Sequence, residues 1–371
     1  MGILFVGDVM PGGVLHYQDC FISKELLDYM CQFKLRIGTL ECAVGNNIPV
    51  DENKQRIIKP VVYVHNEDLC KVVELGLNAV SLANNHVFDL GIDGFLNTIK
   101  QLDSIGVKWF GAGRNFEEAK KPYVVNLENG GQLAIIGCLL DYPKPVIFYP
   151  PTDDNTPCLN YQSIDGICRD IKEAKIKYKK VLVMPHWGIE HIYLQPEYFK
   201  DAAYKMIEAG ADLIVGGHPH IINPITSYKG KKILFSLGNF LFADRCVEFP
   251  RWMYYPSEDE KSKLERFWAH PYPTKKEEPF ICVWPGMNRI GMIASLDFKE
   301  HMKVSYKLVA LDKNNILKEY RSWIVRCRLF VLGCLIKLPC YHIVLRVFNT
   351  NKNKLTLWLN SHKAFNYPIE L

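Results

Sequence analysis

The sequence lacks the segments that direct a protein across or into a membrane. It opens with MGILFVGD, in which no basic region precedes an apolar core, so no signal peptide is predicted. Position 6 is Val6, whereas N-myristoylation requires Ser or Thr there. The longest uncharged apolar run near the C-terminus, residues 329–336, is far shorter than the ~20 residues that span a bilayer. These absences predict a cytoplasmic protein without a transmembrane helix, and any membrane contact is expected to be peripheral, at the inner face.

Paired cysteines are also missing. The 12 cysteines are scattered along the chain, and no two of them form a Cys-x-x-Cys pair. This spacing excludes a zinc knuckle and gives no disulfide framework. The pattern is typical of reduced thiols in a cytoplasmic protein.

Charge is ordinary in amount but uneven in placement. Hydrophobic residues make up 48% of the chain and charged residues 23%, which are the values of a globular protein with a real core. Between Lys313 and Lys354 there are nine basic residues and one acidic residue, Glu319, so this segment is +8 and the rest of the chain −3, from a net charge of +5. No nucleic-acid partner is therefore expected for the main part of the chain, and only the C-terminal segment is expected to seek an anionic surface.

Short apolar runs alternate with helical patterns. A helix is expected after Asn66, another from Asp93 to Ser104, and a third from Pro196 to Glu208. This alternation predicts an α/β fold with a parallel sheet covered on both faces. The predicted buried strands are residues 3–6, 35–39, 79–82, 133–137, 181–184, 213–215 and 233–237, and a last strand is expected at 290–298.

Polar side chains follow most of these strands. In open α/β sheets, ligands bind beyond the carboxyl ends of the strands, so these side chains are expected to converge at one edge. Imidazole and carboxylate ligands together suit Zn, Mn or Fe. The candidates are Asp8, Glu41, Asn84, Asn85, His86, His186, His218 and His220.

Several short motifs occur in a fixed order. They are GDVM, the Glu after the second strand, ANNHVFDLG, HWGIEH, GGHPH and SLGNF. Together they resemble the CapA (poly-gamma-glutamate capsule biosynthesis) family, a branch of the calcineurin-like metallophosphatase superfamily. The resemblance covers roughly residues 3–242 and the strand near 291–298. It implies a metallophosphatase-like layered αββα sandwich with helices on the outer faces.

The resemblance also implies roles for individual residues. Glu41 stands at the place of the bridging carboxylate, and Asn85 at the place of an amide ligand. The other implied metal ligands are Asp8 and His220 for the first ion, and His186 and His218 for the second.

Four further residues are expected on the substrate side of the site, two from the resemblance and two as separate candidates. His86 matches the histidine that faces the substrate, and Asp89, three residues later, is placed to orient its imidazole. Glu190 and Asn239 are candidates for substrate binding, and a structural hydrogen-bonding role is an equal alternative for each.

The sequence departs from the superfamily pattern at two metal positions. Met10 stands where the first motif commonly has His, so the first ion is expected to have one imidazole fewer. Glu41 replaces the usual Asp and reaches one methylene farther. Divalent metal is expected, but whether one or two ions bind, and whether they are Mn, Zn or Fe, stays open. Pro219 is expected to bias His218 toward an extended backbone.

The predicted main domain comprises residues 1–312, and residues 313–371 form a basic, helical C-terminal extension. Residues 244–290, rich in Pro and aromatic residues, are interpreted either as a lid over the strand ends or as a structural excursion. The extension, expected to be helical from about Leu317, either lies on anionic lipid or docks on the main domain with its basic face in solvent.

Two functions from different classes remain open. The first is a metal-dependent hydrolase in capsule or exopolymer biosynthesis, in which one or two divalent metals activate water to cleave a phosphoester or an amide bond. Its substrate would be an anionic polymer or a phosphoester. The second is a non-catalytic polymer-binding or scaffold subunit of a membrane-associated polymer synthesis complex. Fold alone does not decide between them.

Overall fold

The computed structural model describes residues 2–46, 62–128, 130–140, 155–247, 280–284, 286–297 and 302–350. Most of the segment predicted as an insertion, residues 244–290, lies outside the described residues, as does the end of the C-terminal extension. The division at residue 312 therefore stays a prediction.

Twenty strands lie in the described part of the chain. They are β1 (Gly2–Met10), β2 (Leu35–Leu40), β3 (Ala43–Val44), β4 (Tyr63–Val64), β5 (Ala79–Ser81), β6 (Lys108–Phe110), β7 (Ala112–Gly113), β8 (Tyr123–Asn126), β9 (Gln132–Leu140), β10 (Cys158–Leu159), β11 (Lys180–Trp187), β12 (Leu213–Val215), β13 (Ile225–Tyr228), β14 (Lys231–Leu234), β15 (Asn239–Phe242), β16 (Arg245–Val247), β17 (Phe280–Cys282), β18 (Ile290–Asp297), β19 (Lys303–Leu311) and β20 (Leu317–Tyr320).

Helices fall mainly between the strands. They are α1 (Lys24–Met30), α2 (Cys70–Glu74), α3 (Gly91–Ser104), α4 (Phe116–Ala119), α5 (Ile164–Lys177), α6 (Glu197–Ala209), α7 (Trp323–Leu335) and α8 (Tyr341–Thr350). Short 3-10 helices occupy Gly13–Tyr17, Asn66–Leu69 and Gly286–Arg289.

The first large sheet has the order β20-β19-β18-β1-β2-β5-β6. Strands β1, β2, β5 and β6 are parallel, whereas β18, β19 and β20 run antiparallel to their neighbours. Strand β15 also pairs with β1, in parallel, along the second half of β1. Strand β1 is therefore the centre of this sheet and has three partners.

The second large sheet has the order β13-β14-β12-β11-β9-β8. Its four central strands are parallel, and the two edge strands, β13 and β8, are antiparallel. A parallel sheet requires cover on both faces, which explains why these central strands read as continuous apolar runs.

The side chains of β1 show how the layers are arranged. Ile3 and Phe5 lie in one core with residues of both sheets, including Leu182 of β11. Leu4 lies on the other face, in a core that also contains Phe95 of α3. Residues of β11 alternate in the same way, and Val183 packs with α5 and α6. The two sheets thus face each other and carry helices on their outer faces, which confirms the predicted αββα sandwich.

Periodicity explains the outer helices. In α3, Phe95, Ile99 and Leu102 are buried at helical spacing, as expected for an amphipathic helix. Ser163 caps the N-terminus of helix α5, because its Oγ accepts a hydrogen bond of 3.2 Å from the backbone N–H of Gly166.

Helices were predicted from about Leu317, and this prediction is wrong for the first residues of the segment. Residues 317–320 form strand β20, which pairs with β19 in the first sheet. Leu317 is buried, its N–H donates to the carbonyl of Phe21, and its own carbonyl accepts from Ser23 N. These contacts favour a strand over a helix. The helical part begins at Trp323, where Ser322 Oγ accepts from Val325 N.

Membrane-spanning helices were sought in the part of the chain that the structure describes. None of the helices there has the length and apolar character needed to cross a bilayer.

Candidate metal centre

The polar residues that follow the parallel strands meet at one edge of the sandwich. Asp8 lies within β1, Glu41 directly after β2, and His186 near the end of β11. The loop after β12 supplies His218 and His220. Because the carboxyl ends of parallel strands lie at one edge of a sheet, both sheets deliver side chains to the same place.

Ligand-type atoms from these residues form two overlapping groups. The first contains Asp8, Glu41 and His220, and the second contains Glu41, His186 and His218; within each group the ligand atoms lie within 4.8 Å of one another. Glu41 belongs to both groups. This partition places the same residues together that the family resemblance assigns to each ion.

Glu41 is the geometric centre of the cluster. Its Oε1 lies 3.2 Å from His186 Nε2, 3.7 Å from His220 Nε2 and 4.0 Å from His218 Nδ1. The side chain is fully buried. A carboxylate in this position can contact two cations at once.

The hydrogen bonding of the buried carboxylates indicates whether a metal ion suits this site. Asp8 Oδ1 and both oxygens of Glu41 are buried and accept no hydrogen bond of acceptable geometry from the described residues. Burying a carboxylate without compensation is costly. A divalent cation between these oxygens and the imidazole nitrogens would supply that compensation, so the residues present fit such an ion.

The electrostatics of the site favour metal-binding forms of its histidines. Burial lowers the pKa of His186 to about 4 and that of His220 to about 3, despite the opposing influence of Glu41. Both imidazoles are therefore neutral at pH 7, the form in which a ring nitrogen binds a metal. Burial and the neighbouring Glu41 raise the pKa of Asp8 well above its usual range, while a hydrogen bond from His218 N opposes the shift.

Asn85 joins the second group through its side chain. Its Oδ1 lies 2.8 Å from His186 Nε2, which in turn lies 3.1 Å from His218 Nδ1. The preceding Asn84 has a structural role, because its Nδ2 donates to Leu40 O at 2.7 Å and its Oδ1 accepts from His86 N at 2.9 Å. Asn84 thus ties the loop after β5 to the end of β2.

His86 and Asp89 form a hydrogen-bonded pair beside the cluster. His86 Nδ1 lies 2.7 Å from Asp89 Oδ2, which also accepts a hydrogen bond from Val62 N at 2.7 Å. A carboxylate can only accept, so Nδ1 of His86 is the donor. This bond fixes the ring and leaves Nε2 for other contacts.

The two residues predicted for substrate binding lie in different surroundings. Asn239 is buried, its Oδ1 lies 2.9 Å from His220 Nδ1, and its Nδ2 donates to Asn288 O at 3.0 Å. These contacts match the structural alternative for Asn239. The side chain of Glu190 is 31% exposed and its Oε2 lies 3.6 Å from His191 Nε2, so Glu190 stands at the rim of the site.

Sequence reasoning missed two residues of the wall beside His220. Asn288 Nδ2 donates to His220 O at 3.1 Å and lies 2.8 Å from His191 Nδ1. The ring of Trp284 lies 5.1 Å from that of His220. The aromatic richness of residues 244–290 was the available signal for Trp284, but nothing in the sequence marked Asn288.

A buried ion pair holds Trp284 in place. Asp244 Oδ1 accepts hydrogen bonds from Trp284 N at 2.8 Å and from an Arg289 nitrogen at 2.7 Å. Arg289 also donates to Asn315 Oδ1 at 2.9 Å, and Asn315 Nδ2 donates to Asp244 Oδ2 at 3.1 Å. This network holds Trp284 in the wall beside His220.

The GGHPH loop needs an unusual backbone. The expectation of an extended His218 is wrong, since its φ is +95°, and His220 has a φ of +55°. Such angles are uncommon for residues other than glycine, and they occur at functional sites where the surroundings enforce them. A Cβ at Gly217 would lie 2.5 Å from Asp8 Oδ1, so glycine is needed for the loop to approach Asp8.

Met10, the departure in the first motif, is not among these ligand groups. It is buried in the apolar core that β1 shares with the outer helices. The first group accordingly contains a single histidine, His220.

Comparisons with solved structures gave distant matches. A hypothetical protein from Thermus thermophilus is 16% identical, with a TM-score of 0.45, over 83% of this chain and 98% of that chain. The calcineurin-like phosphoesterase YfkN from Bacillus subtilis is also 16% identical, with a TM-score of 0.39, over 83% of this chain and 89% of that chain.

Closer relatives were found by sequence. The PGA biosynthesis protein CapA of Bacillus subtilis (strain 168) is 30% identical over 243 residues, which are 64% of this chain and 62% of the relative. The capsule biosynthesis protein CapA of Bacillus anthracis is 31% identical over 247 residues, 64% of this chain and 58% of the relative. The alignments thus span less than two thirds of either relative.

A family model covers most of the described sandwich. The model for the bacterial capsule synthesis protein PGA_cap matches residues 2–244, which include every residue of the two ligand groups. The chain belongs to the PGA_cap family of bacterial capsule synthesis proteins.

Proposed function

We propose that this protein is a metal-dependent hydrolase of bacterial capsule or exopolymer synthesis, which cleaves a phosphoester bond in an anionic substrate. The observation that carries the proposal is the fully buried Glu41, shared by two groups of ligand atoms. Cations held between the two groups would compensate the buried charge of this carboxylate and could activate water for hydrolysis.

Each part of the cluster has a separate task in this proposal. A bound divalent cation would lower the pKa of a coordinated water to about 7 and so supply a nucleophile at neutral pH. Asp8, His220, His186, His218 and Asn85 would hold one or two ions of Mn, Zn or Fe, and Glu41 would bridge them. The neutral imidazoles of His186 and His220 can do so without first losing a proton.

His86 is the proposed proton-transfer and charge-stabilising group. Asp89 fixes its Nδ1–H, so Nε2 is left to contact a substrate oxygen. General acid–base groups of this type typically contribute about 10²–10⁴-fold to the rate. Glu190, at the rim, is the proposed contact for the part of the substrate outside the metal centre.

The substrate class is proposed from the relatives. The name of the Bacillus subtilis relative refers to PGA biosynthesis and that of the Bacillus anthracis relative to capsule biosynthesis. An anionic polymer such as poly-gamma-glutamate is therefore a second substrate to test, and its cleavage would be at an amide bond. The same relatives suggest a partner, a polymer synthesis complex.

A non-catalytic role as a polymer-binding or scaffold subunit is the second candidate function. The observation that favours it is the burial of Met10 in the apolar core, which leaves the first ligand group with a single imidazole. A weakly held first ion would limit catalysis but would not prevent polymer binding.

Metal content and turnover measured on the same preparations separate the two candidates. The purified protein should carry Mn, Zn or Fe by mass spectrometry and should hydrolyse bis-p-nitrophenyl phosphate, with both properties lost in Glu41→Ala. Glu117→Ala is the matched control, because that carboxylate is 62% exposed on α4 and pairs with the surface residue Lys120.

Three outcomes decide the matter. Loss of metal and turnover in Glu41→Ala, with both properties retained in Glu117→Ala, supports the hydrolase. Cleavage of poly-gamma-glutamate but not of phosphoesters would show that the protein cleaves an amide bond instead of the proposed phosphoester bond. Polymer binding without turnover of either substrate, across a panel of Mn, Zn and Fe, would reject the hydrolase in favour of the scaffold.

A further inference from the structure

Helix α7 presents a row of large apolar side chains to solvent. Trp323, Phe330 and Val331 are 75%, 74% and 52% exposed, and Leu338 and Ile343, which follow the helix, are 39% and 51% exposed. Single exposed apolar residues are normal on a protein surface, but a contiguous group of them usually marks an interaction site.

The spacing places these side chains on one face. Positions 323, 327, 330, 331 and 334 recur at intervals of three and four residues, which is one side of an α-helix, and Cys327 and Cys334 on this side are also exposed. The outer face of α7 therefore consists of Trp323, Cys327, Phe330, Val331 and Cys334.

The opposite side of α7 is packed against the protein. Val325, Leu329 and Leu332 are buried in the cores beneath the helix. A Cβ at Gly333 would lie 2.5 Å from the carbonyl oxygen of Ile225 in β13, so the helix backbone sits directly on that strand. The helix therefore cannot turn to bury Phe330 without losing this packing.

The segment that contains the outer face has charge of a single sign, although its first cation, Arg321, pairs with the preceding Glu319, with 3.0 Å between Nε and Oε1. Residues 321–350 contain no Asp or Glu. Three cations near the face, Arg321, Arg326 and Lys337, are exposed. A fourth, Arg328, points inward and donates to Tyr193 Oη at 3.0 Å. An exposed apolar face bordered by cations favours contact with the surface of an anionic membrane.

We propose that the outer face of α7 is a membrane-docking surface that binds anionic lipid. Trp323 and Phe330 would enter the boundary between headgroups and acyl chains, and Arg321, Arg326 and Lys337 would contact lipid phosphates. A second copy of the chain fits less well, since a symmetric contact through this face would bring the same cations together.

Helix α7 also contacts residues that neighbour the wall of the candidate metal centre in sequence. Arg328, on the inner side of α7, contacts Tyr193 and lies 3.7 Å from Met287 Sδ. These two residues are close in sequence to His191 and Asn288 of the wall beside His220. The helix therefore rests against the same part of the protein that forms the site. The proposal itself does not depend on whether the centre is catalytic.

Co-sedimentation of the full chain with vesicles tests the surface. The protein should bind vesicles of phosphatidylglycerol and phosphatidylcholine but not vesicles of phosphatidylcholine alone. Trp323→Ser/Phe330→Ser should weaken binding at least tenfold. Arg321→Gln/Lys337→Gln should weaken it about tenfold or more and should flatten its salt dependence, since each cation near such a surface contributes roughly fivefold.

Matched controls come from α5. Ile176 is 86% exposed, and Ile176→Ser removes an apolar side chain of similar exposure. Lys172→Gln/Lys177→Gln removes two exposed cations. Both control variants should bind as the wild type does, and all variants replace exposed residues, so circular dichroism should show unchanged folding.

Several results would overturn the proposal. Absence of binding to anionic vesicles would do so, as would equal loss of binding in the α5 variants. Light scattering provides the test for a second copy. A concentration-dependent dimer that Trp323→Ser/Phe330→Ser abolishes, with no lipid binding by the wild type, would assign the face to self-association instead.

Discussion

The backbone N–H of His218 donates a hydrogen bond to Oδ2 of Asp8 with an N···O distance of 3.1 Å. This bond joins β1 of the first sheet to the loop after β12 of the second sheet. Because the donor belongs to the backbone, exchange of the His218 imidazole leaves the bond in place. The two ligand groups can therefore be altered one at a time.

The first prediction is that metal can be removed from each of the two ligand groups separately. His218→Ala should remove metal from the group of Glu41 and His186, while His220→Ala should remove it from the group of Asp8. If two ions bind, each variant should keep about half of the wild-type metal, and a Mn²⁺ titration should show a different site remaining in each. His342→Ala, at an exposed histidine, is the control. Loss of the same site in both variants, or full metal retention in both, would contradict the assignment.

The second prediction separates metal binding from proton transfer. Asp89→Asn should lower kcat about 10²-fold, because the carboxylate no longer fixes Nδ1–H of His86. Metal content should not change, since Asp89 is not among the ligand groups. The comparison variant is Asp93→Asn, an exposed aspartate at the start of α3. A loss of metal that matches the loss of turnover would show that Asp89 acts through the metal centre instead.

The third prediction concerns the ion pair behind Trp284. Arg289→Met should lower the free energy of unfolding by about 3–5 kcal/mol, because it leaves the buried carboxylate of Asp244 without its cation. Urea denaturation gives this value. Arg321→Met should change it by less than about 0.5 kcal/mol, because the Arg321 side chain is 87% exposed. A similar effect of both substitutions would argue against a structural role for the pair.

The fourth prediction concerns pH-dependent stability. Asp212 is buried, and burial tends to raise its pKa, but hydrogen bonds from Lys175 and Lys231 outweigh burial and hold the pKa below its usual value. The folded pKa is thus lower than the unfolded one, near ~3.9. The stabilisation is therefore present above that unfolded pKa and is lost as the pH falls through the folded pKa.

Asp212→Asn tests this linkage. The variant should be about 1–3 kcal/mol less stable than the wild type at pH 7. That difference should begin to shrink in denaturation curves recorded below about pH 4, where Asp212 of the unfolded wild type takes up a proton, and it should be lost as the pH falls through the lower folded pKa. A difference that is the same at pH 7 and pH 3 would show that charge does not matter at this position.

The convergence of polar side chains at one edge of the sandwich could be predicted from the sequence, for a physical reason. Strands β1, β11 and β12 contain continuous apolar runs at residues 3–6, 181–184 and 213–215, so the ends of these runs were visible and the polar residues beyond them stood out. Parallel strands then bring those ends together, as they do for Glu41 and His186. The αββα layers followed from the same alternation and from the family resemblance.

Other parts could not be predicted because their neighbours are distant in the chain. Asn288 contacts His220 through an amide that no motif marks, 68 residues away. Strand β20 contains Lys318 and Glu319 beside a single buried leucine, so its local pattern carries no strand signal. Its pairing with β19 decides its conformation. The positive φ of His218 is likewise imposed by tertiary contacts, against the local influence of Pro219.

The central position of β1 has a consequence for synthesis of the protein on the ribosome. This strand is made before two of its partners, because Gly2 pairs with Asp297 and Asp8 with Asn239. At about 5–20 residues per second, roughly 10–50 s separate translation of Asp8 from that of Asn239. During that interval one edge of β1 has no native partner, and the carboxylate of Asp8 stays hydrated. We therefore expect metal capture to be among the last steps of maturation of the nascent chain.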